Sequence, residues 1–345
     1  MEQGQGIFGG GGKRHSFSNF NNIVSIPNLL GAWREFKRGK NKKPDVALFG
    51  LQLEQHIFEL HEELTNEIYK HNAYTDFIVC DPKRRHIHKA CVRDRVVQQA
   101  VYRALYGVFD KHFIFDSFSS RLGKGTHKGV ERLERVCTKI TKNYRVIAYA
   151  LKCDIRKFFD SIDHAVLTEI LYRKVKDIKT RELLQTIIKS FEKESGKGLP
   201  LGNVTSQLFA NIYMNELDQY IKHTLKCKYY FRYADDFLLL QTSKEYLENI
   251  LEEIKLFLKE TLLIELHPQK VSIKKVSQGV DFLGYIVLPY HKRLRTKTKN
   301  RIEKKLITNN LTKESLISYS GVADHARERV LQNKIQQQIK NLKEK

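Results

Sequence analysis

Three aspartates carry the most pointed chemistry in this chain. Asp235 and Asp236 close the tetrapeptide Tyr233-Ala234-Asp235-Asp236, which lies between two aromatic and aliphatic runs, Tyr229 to Tyr233 and Phe237 to Gln241. That pattern predicts a hairpin with acids at its tip. Asp154 stands about 80 residues upstream, at the end of the apolar run Val146 to Asp154, which suits a buried strand. Carboxylates crowded beside buried strands repel one another and are costly to desolvate. A hard divalent cation removes the difficulty. Carboxylate oxygens bind magnesium, and two ions about 4 Å apart clamp the attacking and leaving oxygens of an in-line phosphoryl displacement. For the tetrapeptide alone, a solvated Asp-Asp turn is the plainer alternative.

Other elements must position these acids. Residues 1 to 22 are rich in Gly, Ser and Asn, with four glycines at 9–12, and read as a flexible tail. Leu53, Ile57, Leu60, Leu64 and Ile68 recur at helical spacing. Asp76 to Ala90 looks extended, with Pro82 at a turn, and Arg93 to Tyr106 returns to a helix. A glycine-punctuated loop from Phe113 to Gly129 leads into a helix over 130–142. Ile162 to about Phe191 and Thr205 to Leu225 read as helices around a turn-rich break, Gly196 to Gly202. An amphipathic helix over 244–260 follows, then strands near Ile273, over Val280 to Leu288 and around His291 to Arg295. From about 297 the chain is helical and very basic.

Bulk composition narrows the partner. The 345 residues include 61 Lys plus Arg against 39 Asp plus Glu, a formal charge of +22. Such an excess suits a polyanion, because each neutralised phosphate releases counterions. The five cysteines contain no C-x-x-C pair, so neither a zinc knuckle nor a disulfide framework is expected. No apolar run has membrane-spanning length and no export signal is seen, so a cytoplasmic protein without membrane association is expected.

Asp154 with the following Phe159, and Tyr233-Ala234-Asp235-Asp236, resemble the two catalytic motifs of reverse transcriptases. The resemblance runs from about residue 30 to 330 in the family's order. It implies an α+β right-hand polymerase fold with fingers, an antiparallel-sheet palm and a small helical thumb. The corresponding division is fingers and the start of the palm over 23–145, palm over 146–288, and a basic helical thumb and tail over 289–345. It also implies Asp154 and Asp235 as ligands of two Mg²⁺ ions, with Mn²⁺ able to substitute. Asp236 and the Ile155 carbonyl join the same site. Phe159, five residues after Asp154, falls at the position where a large ring excludes a ribose 2′-hydroxyl; a core aromatic, as expected of Phe158, is the alternative.

Further stretches fit the same pattern. Asp81-Pro82-Lys83-Arg84-Arg85-His86-Ile87 looks like the fingers strand that meets the incoming triphosphate, with Lys83 and Arg85 as its cations; a basic strand facing nucleic acid is the alternative. Lys270 fits the lysine that protonates leaving pyrophosphate, or else an ordinary surface lysine. Phe282-Leu283-Gly284-Tyr285 resembles the primer-grip hairpin. Reverse transcriptases ordinarily carry Pro-Gln-Gly in the loop below the templating pair; here it is Pro200-Leu201-Gly202. Leu201 offers only apolar contact near the nucleotide, and the loop through Gln207 resembles the enzymes of diversity-generating retroelements. That subgroup implies error-prone copying of template RNA opposite adenine, dNTP substrates, a cDNA product and primer, and a small basic helical accessory protein. Other bacterial reverse transcriptases (retron, abortive-infection, CRISPR-linked or group II-like) and a non-catalytic RNA-binding protein are the alternatives.

Overall fold

The computed structural model describes residues 19–80, 83–308 and 311–343. Nine strands form three antiparallel sheets among these residues. Strands β1 (Thr75–Val79) and β2 (Arg85–Lys89) make a two-stranded hairpin. Strands β3 (Tyr149–Asp154), β4 (Tyr229–Tyr233), β5 (Asp236–Gln241) and β6 (Ser272–Lys275) form the central sheet in the order β4-β5-β3-β6. Strands β7 (Val280–Phe282), β8 (Tyr285–Leu288) and β9 (His291–Leu294) form a third sheet in sequence order.

Strand β5 carries an unbroken apolar run, Phe237 to Leu240, and β3 and β4 are mostly apolar, because both faces of the sheet are covered there. Tyr230, Leu151, Cys153, Phe237 and Leu239 join one buried cluster, with the N-terminal helices and helices Val92–Asp110, Val204–Gln219 and Lys244–Glu260. Phe231, Ala150, Leu238 and Leu240 join a second, with helix Thr126–Ile140, the third sheet and the C-terminal helices. The alternation of side chains along a strand sends successive residues to opposite cores. The charged ends of β3 and β5 are thereby left at the sheet's margin, where the acids lie.

Several expected boundaries move. Phe20 is buried in helix Phe20–Val24, so structure begins inside the stretch expected to be a tail; residues 1–18 lie outside the described residues, as do Asp81 and Pro82. The third strand begins at Tyr149 and not at Val146, since Val146 and Ile147 are exposed. One long helix over 162–191 is in fact two, His164–Lys174 and Ile178–Lys189. Asp177 restarts the second by accepting from Thr180 N at 2.7 Å, a side-chain cap. The loop ending at Gly129 stops sooner: Gly125, at φ +123°, is the last residue before helix Thr126–Ile140.

Helix Lys313–His325 docks on helix Thr126–Ile140 through two imidazoles. His127 and His325 stack with centroids 4.2 Å apart, and Tyr285 meets both edge-on. Burial, then the neighbouring His127 and Lys292, hold His325 down to about 4, against the opposing pull of Glu131. A depressed histidine keeps the folded state neutral while the unfolded chain takes up the proton. Its contribution is therefore present above the ordinary value of 6.5 and is lost as pH falls from there towards 4. Between those values the melting temperature of the wild type should fall more steeply than that of His325→Phe. Parallel slopes would refute the role of this pair.

Candidate active site

The acids meet through strand register. Asp154 and Asp236 are direct cross-strand partners on β3 and β5, and Tyr233 faces Asp236 across the β4–β5 hairpin. The hairpin turns at Ala234, whose φ of +53° is left-handed, and presents Asp235. The Asp235 carbonyl accepts from Ile155 N at 3.2 Å, which ties the tip to the chain beyond β3. The backbone of the segment before β6 closes the other side, as His267 N donates to the Asp154 carbonyl at 2.8 Å.

Crowding shows in the electrostatics. Desolvation, then the Asp154 charge, pushes the Asp235 carboxyl up, and Lys270 and Arg85 pull it the other way. Desolvation lifts Asp236 to about 6, although Lys152 works against it. Two lysines contact the acids. Lys270 Nζ donates to Asp154 Oδ1 at 2.6 Å, and Lys152 Nζ lies 3.4 Å from Asp236 Oδ2. Asp236 Oδ1 is buried with no hydrogen-bond partner. An all-oxygen acidic set with an orphaned buried oxygen, and with proton affinity raised at Asp235 and Asp236, fits a hard divalent cation. Among the described residues no three acidic, His or Cys side chains already form a metal cage, and the contacting cations are ammonium groups.

Around this centre the other expected residues are unevenly placed. Arg85, exposed on β2, acts electrostatically on Asp235. Lys83 is exposed at the same hairpin's turn and makes no contact that links it to the acids. Phe158 is a core residue, while Phe159 is half-buried and packs edge-on against it at 5.5 Å. The Phe159 carbonyl accepts from Leu199 N at 2.7 Å, joining this turn to the 199–203 loop. That loop is also bound to the β1–β2 hairpin. The Leu201 carbonyl accepts from His88 N at 3.1 Å, and Asn203 Nδ2 donates to the His88 carbonyl at 3.0 Å. Gly202 sits at φ +109°, and a Cβ there would come within 2.9 Å of the Ile87 side chain. Gln207 is half-buried and accepts from Ser120 Oγ at 3.1 Å. Phe282 and Tyr285 are buried in the second core, and Tyr285 Oη donates to the Val322 carbonyl. At the β7–β8 turn it is the left-handed pair Leu283 and Gly284 that is less buried.

Sequence reasoning missed Lys152, which contacts Asp236, and the buried group Arg232, Asp218 and Asn211, which is hydrogen-bonded to the turn at Ala234. Lys152 was legible in principle, since it lies two residues before Asp154 and so on the same face of β3. It also reaches the third sheet, donating to the Asp281 carbonyl at 2.8 Å. Arg232, a charge inside an apolar strand, was a second readable signal.

A family profile described as reverse transcriptase (RNA-dependent DNA polymerase) matches residues 68–287, well over half of the chain. The chain belongs to the reverse transcriptase family. The matched stretch of this reverse transcriptase chain runs from before β1 to β8 and contains all three acids. The chain is 26% identical to protein YkfC of Escherichia coli (strain K12) over 241 residues, 59% of this chain and 63% of that one. It is also 26% identical to the group II intron-encoded protein LtrA of Lactococcus lactis subsp. cremoris over 260 residues, 56% of this chain and 42% of that one. The aligned part thus spans less than two thirds of either relative. Among solved structures, telomerase from Candida albicans in complex with a fragment of telomeric RNA matches with a TM-score of 0.51 at 12% identity, over 80% of this chain and 55% of that one. This likeness shows the fold: the expected right-hand polymerase architecture of mixed helices and antiparallel sheets. No helix among the described residues is long and apolar enough to cross a membrane.

Proposed function

We propose that this reverse transcriptase copies template RNA into DNA by joining a primer 3′-hydroxyl to the α-phosphorus of an incoming dNTP, with release of pyrophosphate. The observation that carries the reading is the meeting of Asp154, Asp235 and Asp236 at one end of a doubly buried sheet. Asp154 and Asp235, with Asp236 and the Ile155 carbonyl, would hold two Mg²⁺ ions, or Mn²⁺ in their place. Bound magnesium supplies charge neutralisation and polarises the phosphate oxygens.

The chain's own residues do the rest. Arg85 and Lys83 receive the triphosphate, Arg85 through a planar bidentate fork. Phe159 stands where a ribose 2′-hydroxyl would need room. Lys270, held beside Asp154, donates a proton to the leaving pyrophosphate. The Leu283–Gly284 turn lets the primer backbone approach closely, and the basic helices from Thr296 onward follow the duplex through phosphate contacts.

Within this activity, Leu201 supports low fidelity. Its backbone serves the contact with His88 and its side chain has no hydrogen bond to offer a templating base or nucleotide. The biological reading is cDNA synthesis in a diversity-generating retroelement, with a basic helical accessory protein and misincorporation opposite adenine. Similarity to LtrA favours a second reading, a group II-like enzyme without that bias. Sequencing cDNA made from a mixed-base RNA template separates the two: an excess of errors opposite adenine supports the first, and uniform errors support the second. A polar contact is worth about 1–3 kcal/mol, so Leu201→Gln should lower errors opposite adenine by roughly 5- to 150-fold. An unchanged spectrum removes Leu201 from the explanation.

A further inference from the structure

Arg232 is fully buried inside β4, among residues that are otherwise aromatic or aliphatic. Its guanidinium binds Asp218 of helix Val204–Gln219 in a fork, Nε to Oδ1 at 2.7 Å and Nη2 to Oδ2 at 2.6 Å. Tyr230 Oη adds a bond to Asp218 Oδ1 at 2.7 Å. The remaining nitrogen, Nη1, donates to Asn211 Oδ1 at 3.1 Å and to the Ala234 carbonyl at 3.2 Å. Asn211 in turn donates to the Ser119 carbonyl at 2.8 Å.

The contact with Ala234 is the informative one. A left-handed alanine costs roughly 1–2 kcal/mol, so the turn needs outside support to keep that shape. The Ala234 carbonyl belongs to the peptide unit that leads into Asp235, and holding it sets the direction in which Asp235 leaves the turn. A dry ion pair is otherwise a poor source of stability, because desolvation offsets most of its attraction and well-packed apolar residues serve equally well. What the pair supplies here, and apolar packing does not, is a directional donor on β4 that is anchored to a rigid helix and aimed at the catalytic turn.

We propose that Arg232 is a positioning residue that fixes the Ala234–Asp235 peptide, with Asp218 and Asn211 as its anchor, so that Asp235 is presented beside Asp154. This rests on the proposed reading of Asp235 as a magnesium ligand. The triple variant Arg232→Met/Asp218→Leu/Tyr230→Phe removes the fork and the hydroxyl together and leaves no unpaired charge. In the full chain it should remain folded. Its kcat for dNTP incorporation should fall about a hundredfold, as expected for a misplaced reacting group, with KM changed less than about threefold. Mn²⁺ binding to the free protein, read by electron paramagnetic resonance, should weaken about tenfold or more, as when outer partners of a metal ligand are lost.

Arg232→Lys, which keeps a charge beside Asp218 but lacks the fork that also reaches Ala234, should show the same kcat loss and weakened Mn²⁺ binding. It decides the matter if the triple variant does not fold. Wild-type kcat and Mn²⁺ affinity in a folded variant would overturn the proposal and reduce the pair to a packing element. Asp235→Asn, measured alongside, keeps the two claims apart. If it is inactive while the Arg232 variants are normal, only the positioning role fails; if it is fully active, the reading of Asp235 itself fails.

Discussion

Asp235→Asn is expected to cost at least about a thousandfold in nucleotide incorporation, in the range seen when a group acting directly on the reacting centre is removed. The same substitution should make the metal-free protein more stable. Desolvation and the Asp154 charge oppose ionisation of Asp235 in the fold, and neither acts in the unfolded chain. Asp236→Asn gives the clearer case, because burial lifts that carboxyl from 3.8 to about 6. A raised carboxyl binds its proton more tightly in the folded state, so wild-type stability falls as pH rises through that interval. At about 1.4 kcal/mol per unit, the ionised group costs about 3 kcal/mol once the pH is well above 6. In chelator, Asp236→Asn should therefore melt with the wild type near pH 4 and above it near pH 7. Adding Mg²⁺ should narrow the gap, since a ligand bound only by the folded wild type stabilises it. A variant less stable than wild type at pH 7 in chelator would mean that the acids are not under electrostatic strain.

Phe159→Ala is expected to admit ribonucleotides. Losing the ring should lower the preference for dNTP over rNTP by about a hundredfold, within the reach of a steric filter, while dNTP incorporation falls less than about tenfold. Phe158→Ala provides the contrast. Phe158 is buried in the main core, so its truncation should destabilise the protein by about 3 kcal/mol or more and leave sugar selection intact. Steady-state incorporation of matched rNTP and dNTP pairs measures the first effect, and denaturant unfolding the second. Equal selectivity in wild type and Phe159→Ala would return Phe159 to a packing role.

Much of this arrangement was legible because the relevant signals are local. Continuous apolar runs at Val146 to Asp154 and Phe237 to Gln241 predict strands covered on both sides, and the acids between Tyr233 and Phe237 predict a hairpin tip. Periodicity also located the helix over 244–260. What escaped depends on contacts between distant parts of the chain. Asp218 reads as one more polar residue on a helix, and only the packing of that helix against β4 makes it the partner of Arg232. Phe282 and Tyr285 look available to a primer in the sequence, but the third sheet faces the C-terminal helices and buries both. The break at Val175 was hidden for another reason. Apolar residues continue in helical spacing across it, and the decisive feature is the Asp177 cap.

The role of the three acids is tested most directly by single-turnover addition of one complementary dNTP to a primer annealed to RNA, comparing wild type with Asp154→Asn. A Mg²⁺-dependent product that follows the template base, made by the wild type and reduced at least about a thousandfold in the variant, is predicted. RNA binding without any templated product from the wild type, or equal product from both proteins, would contradict it.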